Sequence, residues 1–155
     1  MSAAAENRVP EGVTPEQVLE VAEQMTRGTL MERLGMRWVE IGLDRVVASL
    51  PVEGNTQPYG LLHGGATAAL CETVGSVGTS VHTGLDRRPV GIQLSVNHLR
   101  SVRDGSITAT GVPLHVGRST ALWDVRVEDE TGRLVASGRL TLAIRDGVPG
   151  DAPGG

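Results

Sequence analysis

His63-Gly64-Gly65 stands directly before a run that is nearly free of charge, with Gln57 six positions before His63 and Glu72 nine positions after it. If that run is a helix, its first N–H groups lack partners in a preceding turn and lie at the positive end of the helix dipole. Such donors can stabilise the negative oxygen that develops on an attacked carbonyl, and glycine lets the attacked group approach the backbone closely. The alternative use of Gly64 and Gly65 is a tight turn. Glu72 is the only charged side chain in residues 64–81, GGATAALCETVGSVGTSV. A carboxylate in that setting must be paired, face a cavity or do chemistry, since burying it unpaired is costly. The alternative is a Glu that meets an Arg at a subunit contact. His63 could hold the loop through its ring nitrogens or move a proton, although no orienting partner or nucleophile stands near it in sequence. Cys71 points about 100° away from Glu72 on a helix and is expected as a small core side chain. The four histidines, His63, His82, His98 and His115, show no HxxxH or HxH spacing, so no metal site is expected.

These groups need a helix and a surface for it to rest on. Thr14, Pro15 and Gln17 have the form of a capping box, and Val18, Val21, Ala22 and Met25 recur with helical spacing before Gly28 stops the run. Residues 36–41 and 45–52 read as a β-hairpin around Gly42-Leu43-Asp44. Residues 64–81, lacking a charged stripe, read as a helix enclosed on most sides. Gly75 and Gly78 each cost it about 1 kcal/mol of intrinsic propensity, which close packing must offset.

Period-two alternation fills the remainder of the chain. Val90, Ile92, Leu94 and Val96 share one expected face, opposite Gly91, Gln93, Ser95 and Asn97; residues 121–128 and 134–145 alternate likewise, and 107–116 adds a further strand. Short turns at Arg103-Asp104-Gly105 and 129–132 imply antiparallel neighbours. The fold class expected is α+β, a curved antiparallel sheet wrapped around one central helix. Residues 1–29 form an N-terminal segment with a short helix, 30–146 the main domain, and 147–155 a Gly- and Pro-rich tail; residues 1–13 and the tail are expected to be loose.

At 155 residues and 16.2 kDa the chain suits a single domain. It has no Phe, one Tyr (Tyr59) and two Trp (Trp38, Trp123) in a chain of net charge −4, so stacking surfaces and a cationic field are both missing and no nucleic-acid partner is expected. All 14 cationic residues are Arg, which excludes a Schiff-base lysine and leaves Arg side chains or a helix N-terminus to hold any anion. The single cysteine excludes an intramolecular disulfide. With no signal peptide and no 18-residue apolar run, a cytoplasmic protein without a membrane partner is expected.

The segment Gln57-Pro58-Tyr59-Gly60-Leu61-Leu62-His63-Gly64-Gly65, followed by Glu72, resembles the hotdog-fold acyl-CoA thioesterases. The likeness is greatest to the phenylacetate-pathway and glutamate-type 4-hydroxybenzoyl-CoA thioesterases. Asn97-His98-Leu99-Arg100, Val116-Gly117-Arg118-Ser119 and 129–132 follow in the family's order, so the resemblance spans residues 30–146. It implies a hotdog fold and hydrolysis of an acyl- or aryl-CoA thioester, with no cofactor beyond the coenzyme A that the substrate carries. It further implies that the Gly64 N–H polarises the thioester carbonyl, that Glu72 is nucleophile or general base, and that Gln57 positions substrate or water beside His63. Ser76 matches a position that carries Thr in part of the family. Gly65, Asn97, Arg100, Gly117, Arg118 and Ser119 fall at the implied substrate, pantetheine and phosphate contacts. Ser101 departs from the Pro that often follows the family's Asn-x-Leu-Arg.

Two other functions compete. A hotdog hydratase or dehydratase would want a His/Asp pair for proton transfer at Cα and Cβ, where this sequence offers a lone Glu. The other is a non-catalytic acyl-CoA-binding module, a sensor or carrier; a sensor that bound DNA would need a helix-turn-helix, for which the first 30 residues leave little room. Helix geometry also constrains assembly. On one helix His63 and Glu72 are about 13.5 Å apart along the axis and roughly 180° apart around it, and Gly64 is about 12 Å from Glu72. One thioester cannot meet both, so a site that uses both takes them from two chains whose helices lie antiparallel about a two-fold axis. A homodimer is therefore expected, and the resemblance implies its pairing into a homotetramer.

Overall fold

The computed structural model describes residues 14–84 and 86–146, so the loose ends expected at 1–13 and 147–155 lie outside the described residues. Helix α1 (Pro15–Thr26) opens with both halves of the capping box, Thr14 Oγ1 accepting from the Gln17 N–H and Gln17 Oε1 accepting from the Thr14 N–H. Its packed stripe is Val18, Leu19 and Ala22, whereas Val21 and Met25, expected on that stripe, are exposed. The face is turned so that Thr26 Oγ1 accepts from Trp38 Nε1 at 3.1 Å, which ties the helix end to the first strand. A single turn, α2 (Leu30–Arg33), follows; the sequence gives it no periodic signal.

The strands are β1 (Arg37–Ile41), β2 (Val46–Pro51), β3 (Arg87–His98), β4 (Ser106–Val116), β5 (Thr120–Asp129) and β6 (Leu134–Asp146), with α3 (Gly64–Thr83) between β2 and β3. They make one antiparallel sheet in the order β1-β2-β4-β5-β6-β3. The chain leaves β2, runs along α3 across one face of the sheet and re-enters at the far side. Strand β3 is therefore an edge, although it comes third in sequence.

α3 rests on the sheet through close contact with one large ring. A Cβ at Gly78 would collide with the indole of Trp123, and one at Gly75 would lie 2.6 Å from Leu140 Cδ2 and 3.3 Å from Trp123 Cβ. Trp123 is fully buried; its Nε1 donates to Thr79 Oγ1 at 2.9 Å, and Thr79 Oγ1 donates to the Gly75 carbonyl at 2.8 Å. The helix glycines thus admit the tryptophan, and the threonine satisfies its only polar atom. Leu50, Leu70, Val74, Ile107, Val125, Leu140 and Leu142 complete an aliphatic core.

Three expectations are corrected. The Arg103-Asp104-Gly105 turn does not join neighbouring strands: β3 pairs with β6, and β4 pairs with β2 and β5. The helix is not enclosed on most sides within one chain. Ala66, Leu70, Cys71, Val74, Gly75 and Gly78 are buried, but Ala68, Ala69, Thr73, Ser76 and Val77 are only half-buried and Glu72 is exposed. Its uncharged composition therefore marks a second face that the single chain leaves uncovered. Nor do Val90 and Ile92 share a face with Leu94 and Val96. A β-bulge between Gly91 and Gln93 reverses the alternation, so Gly91, Leu94 and Val96 turn toward α3 while Val90 and Ile92 are 52% and 61% exposed.

Candidate active site

The loop that ends at the N-terminus of α3 is pinned from inside. Asn55, buried, donates from Nδ2 to the carbonyls of Leu34 (2.7 Å) and Pro51 (2.9 Å), and its own carbonyl accepts from the His63 N–H at 2.8 Å. Gln57 and Leu61 close the loop tip through Gln57 N–H to Leu61 O (2.8 Å), with Gly60 in the left-handed region at φ 72. Gln57 Oε1 accepts from the Tyr59 N–H at 2.6 Å. Its Nε2, which has no hydrogen bond among the described residues, remains as a donor.

The first N–H groups of α3 can be followed one by one. Gly65 N–H donates to His63 Nδ1 at 2.8 Å, while Ala66 and Thr67 N–H donate to the His63 carbonyl. The Gly64 N–H has no partner among the described residues. His63 is thus the helix cap, and its ring nitrogen Nδ1 is an acceptor already in use. Gly65, with its N–H occupied, serves the cap.

Gly64 and Gln57 both line a cleft of about 350 Å³, together with His98, Arg100 and apolar side chains that include Leu61 and Leu62. The His98 ring covers Gly64: a Cβ there would lie 2.9 Å from His98 Nε2. A side chain at this point would press on the imidazole, so glycine leaves the ring room to lie over the helix start. His98 is a cleft residue that the sequence reading assigned no role; its only signal was its place within Asn97-His98-Leu99-Arg100. Arg100 Nη1 donates to the Leu134 carbonyl and its backbone N–H to Val135 O at 3.2 Å, which holds the side chain at the cleft with guanidinium donors to spare. Asn97, exposed, precedes His98 on β3.

Glu72 is absent from the lining of this cleft. It lies two turns along α3, on the uncovered face, with Oε1 2.5 Å from where a Cβ on Gly91 would stand. Ser76 follows one turn later on that face and is half-buried. Gly117, Arg118 and Ser119 form the β4–β5 turn at the opposite end of the sheet. There Gly117 N–H donates to Thr120 O, Arg118 O accepts from Arg87 Nη2 at 2.9 Å, and Ser119 O accepts from Ile144 N–H at 2.8 Å. Nine residues of β6 separate Ile144 from Val135, the partner of Arg100, or about 30 Å of strand. Within one chain the structure therefore brings together Gln57, Gly64, His98 and Arg100, with His63 and Gly65 at the rim, and keeps Glu72, Ser76 and residues 117–119 apart from them.

Cys71, beside Glu72, is fully buried against Gly138, and burial pushes its thiol up to about 12, so it is protonated at neutral pH. Among the described residues no group of three or more His, Cys, Asp or Glu side chains could hold a metal ion, and no helix is long and apolar enough to cross a membrane.

One central helix packed on an antiparallel six-stranded sheet, with an orphan N–H at the helix start, defines a hotdog fold. Comparison with known proteins agrees: the family described as the thioesterase superfamily matches residues 59–136. The 1,4-dihydroxy-2-naphthoyl-CoA hydrolase of Escherichia coli (strain K12) is 41% identical over 127 residues, covering 81% of this chain and 93% of that protein. Thioesterase HI1161 from Haemophilus influenzae superposes with a TM-score of 0.81 at 33% identity, covering 86% of this chain and 94% of that one. A thioesterase from Staphylococcus aureus subsp. aureus Mu50 is 36% identical with a TM-score of 0.73, covering 75% of this chain and 98% of that one. It has been crystallised with a glutamine replaced by alanine and, separately, with a glutamate replaced by alanine fifteen positions further on. The chain belongs to the thioesterase superfamily and is a thioester hydrolase.

Proposed function

We propose that the chain hydrolyses acyl- or aryl-CoA thioesters to the free acid and coenzyme A, in a site completed by a second copy of itself. Net, water adds across the C–S bond: an oxygen, from water itself or relayed through the Glu72 carboxylate, ends on the acyl carbon and the sulfur leaves as the thiol. The observation that carries this reading is the Gly64 N–H, left without a partner in a cleft shared with the free Nε2 of Gln57. Those two donors fit a thioester carbonyl as it gains negative charge.

Glu72 is assigned the nucleophile or general base. Its place on an uncharged, uncovered helix face supports this, as does its spacing of fifteen from Gln57, equal to that between the two positions replaced in the Staphylococcus aureus thioesterase. Ser76 would contact substrate on the same face. Because Glu72 stands outside the cleft that holds Gly64, each donor set is assigned to act with the Glu72 of a partner, in a homodimer that pairs further into a homotetramer. The uncovered face of α3 and the free edge of β3, joined where Glu72 meets Gly91, form one continuous side for that partner. Arg100 from one chain and Arg118 from the other are then assigned the phosphates of coenzyme A, with Asn97, Gly117 and Ser119 beside the pantetheine. The bicyclic aryl group named for the Escherichia coli relative supports including aryl-CoA among the substrates, rather than restricting the chain to phenylacetyl- or 4-hydroxybenzoyl-CoA.

The test is thiol release from a panel of straight-chain and aryl-CoA esters. Turnover is expected for the wild type, and Glu72→Gln, nearly isosteric but uncharged, should lose most of it while keeping acyl-CoA affinity within about tenfold, or about 1.4 kcal/mol. Wild-type turnover in Glu72→Gln would remove Glu72 from the reaction. Single turnover in heavy-oxygen water separates the two routes: label appears in the Glu72 carboxyl if it attacks the carbonyl and in the product acid alone if it activates water.

A further inference from the structure

We propose that Gly91, delivered to the helix by the β3 bulge, is the seat of the Glu72 carboxylate and so a positioning residue for the reaction. This inference rests on the assignment of Glu72 above. Gly91 pairs with Leu142 and Gln93 with Thr141, so Ile92 is the extra residue on β3 and is turned outward. Without the bulge, the strand's apolar alternation would bring Val90 or Ile92 against α3 at this level. With it, the inward position carries no side chain, and Glu72 Oε1 occupies the place of the missing Cβ, 2.5 Å from where that atom would be and with the carboxyl carbon 3.2 Å from it. The other neighbour, Leu140 Cδ1, is 3.7 Å from that point, an ordinary contact. A bulge that re-aims one strand residue beside a reactive group is a recurrent structural device. Here it costs the strand a regular apolar face and gives the carboxylate a flat backbone to lie on.

The contact predicts a separation between stability and rate. Gly91 does not have positive φ, so alanine meets no backbone strain there. What its methyl group would displace is the far end of a flexible side chain, which can turn aside about its own bonds without moving the sheet. Gly91→Ala should therefore fold normally, with Tm within about 3 °C of wild type, yet lose at least about tenfold in kcat with KM changed less than about threefold. Glu72→Asp, one methylene shorter, withdraws the carboxylate from the seat. In that background the same Gly91→Ala change should cost less than about twofold, the non-additivity expected of two groups in contact. The carboxyl carbon resonance of Glu72, followed by NMR, reads the seat without reference to catalysis and should shift in Gly91→Ala.

Three results would overturn the proposal. These are wild-type kcat in Gly91→Ala while Glu72→Gln is inactive, an equal loss of kcat in the Glu72→Asp background, or a fall in Tm that Glu72→Asp does not relieve, which would show the methyl group meeting the sheet instead of the carboxylate. A shifted Glu72 resonance with unchanged kcat, joined to full activity in Glu72→Gln, would instead leave the seat standing and refute the catalytic assignment of Glu72.

Discussion

A carboxamide has two ends, and at Gln57 the fold has committed one of them. With Oε1 held by the Tyr59 N–H, Nε2 is the end left free to donate, which is the role proposed for Gln57 toward a substrate carbonyl or water. His63 is committed too, as the cap that takes the Gly65 N–H, and that leaves Gly64 as the single free donor of the first helical turn. That His63-Gly64-Gly65 opens a helix was legible from sequence, but the partners of its N–H groups were not, because three adjacent N–H groups look alike until the cap geometry assigns them. His98 was less legible still: a histidine on an alternating strand carries no sign of the helix start it will cover. Outside the site, Asp129 ties the β5–β6 turn. It accepts from the Thr131 hydroxyl (2.7 Å), the Arg133 and Thr131 N–H groups (3.0 Å each) and Arg133 Nε (2.8 Å). Foremost the Thr131 hydroxyl, then the Arg133 and Thr131 donors, hold its carboxyl down to about 2, below the ordinary value of 3.8. A depressed carboxyl stabilises the fold above its unfolded pKa and loses that contribution as pH falls through the folded one. Wild-type Tm should therefore drop between about pH 4 and pH 2 by more than that of Asp129→Asn, measured by thermal melts across that range. Parallel curves for the two proteins would show that the turn is not held by this carboxylate.

Among the elements, α3 shows how a helix with poor intrinsic propensity becomes the centre of a fold. Its glycines were readable as a demand for close packing, while the partner they admit, Trp123, lies on a strand 45 residues beyond Gly78 and no local pattern points to it. Gly78→Ala tests the packing directly. Alanine gains up to about 1 kcal/mol of helix propensity, but its methyl group must displace a fully buried indole. Overpacking of that kind costs about 1–3 kcal/mol and here falls at the upper end, because Trp123 is also fixed by its hydrogen bond to Thr79. A net loss of about 2 kcal/mol is expected from urea unfolding; a neutral or stabilised variant would mean that the ring moves freely. Strand β3 went unread in a different way. Val90, Ile92, Leu94 and Val96 form an unbroken alternation, and a bulge leaves such a pattern intact in sequence while reversing it in space. The place where alternation misleads is the place where the strand meets Glu72, the residue to which the proposed reaction assigns the carboxylate.

At the scale of the whole molecule, the single chain is unfinished on one side. The uncharged face of α3 is open, the edge of β3 beside it is unpaired, and Glu72 stands there about 12 Å along the helix from the Gly64 donor it is assigned to act with. A two-fold axis beside α3 relieves all three at once: it covers the helix face, pairs the edge and brings the donor end of one helix toward the carboxylate of the other. It also brings the Arg100 end of one sheet toward the Arg118 end of its partner, which lie about 30 Å apart along β6 within one chain. The proposal of two chains rests on the spacing of Gly64 and Glu72, which is legible in sequence. The side proposed for that partner could not be read there, because the proposal depends on β3 lying at the sheet edge, and sequence order does not reveal that.

Subunit mixing measures this claim most directly. Gln57→Ala and Glu72→Ala chains, each shown to be folded and inactive, are mixed under conditions that exchange subunits, with heterodimers verified by mass. In a shared-site dimer each heterodimer has one site carrying both substitutions and one carrying neither, so random exchange should restore about a quarter of wild-type activity. No recovery in a mixture whose heterodimers are confirmed would place Gln57 and Glu72 in one chain's site and contradict the account.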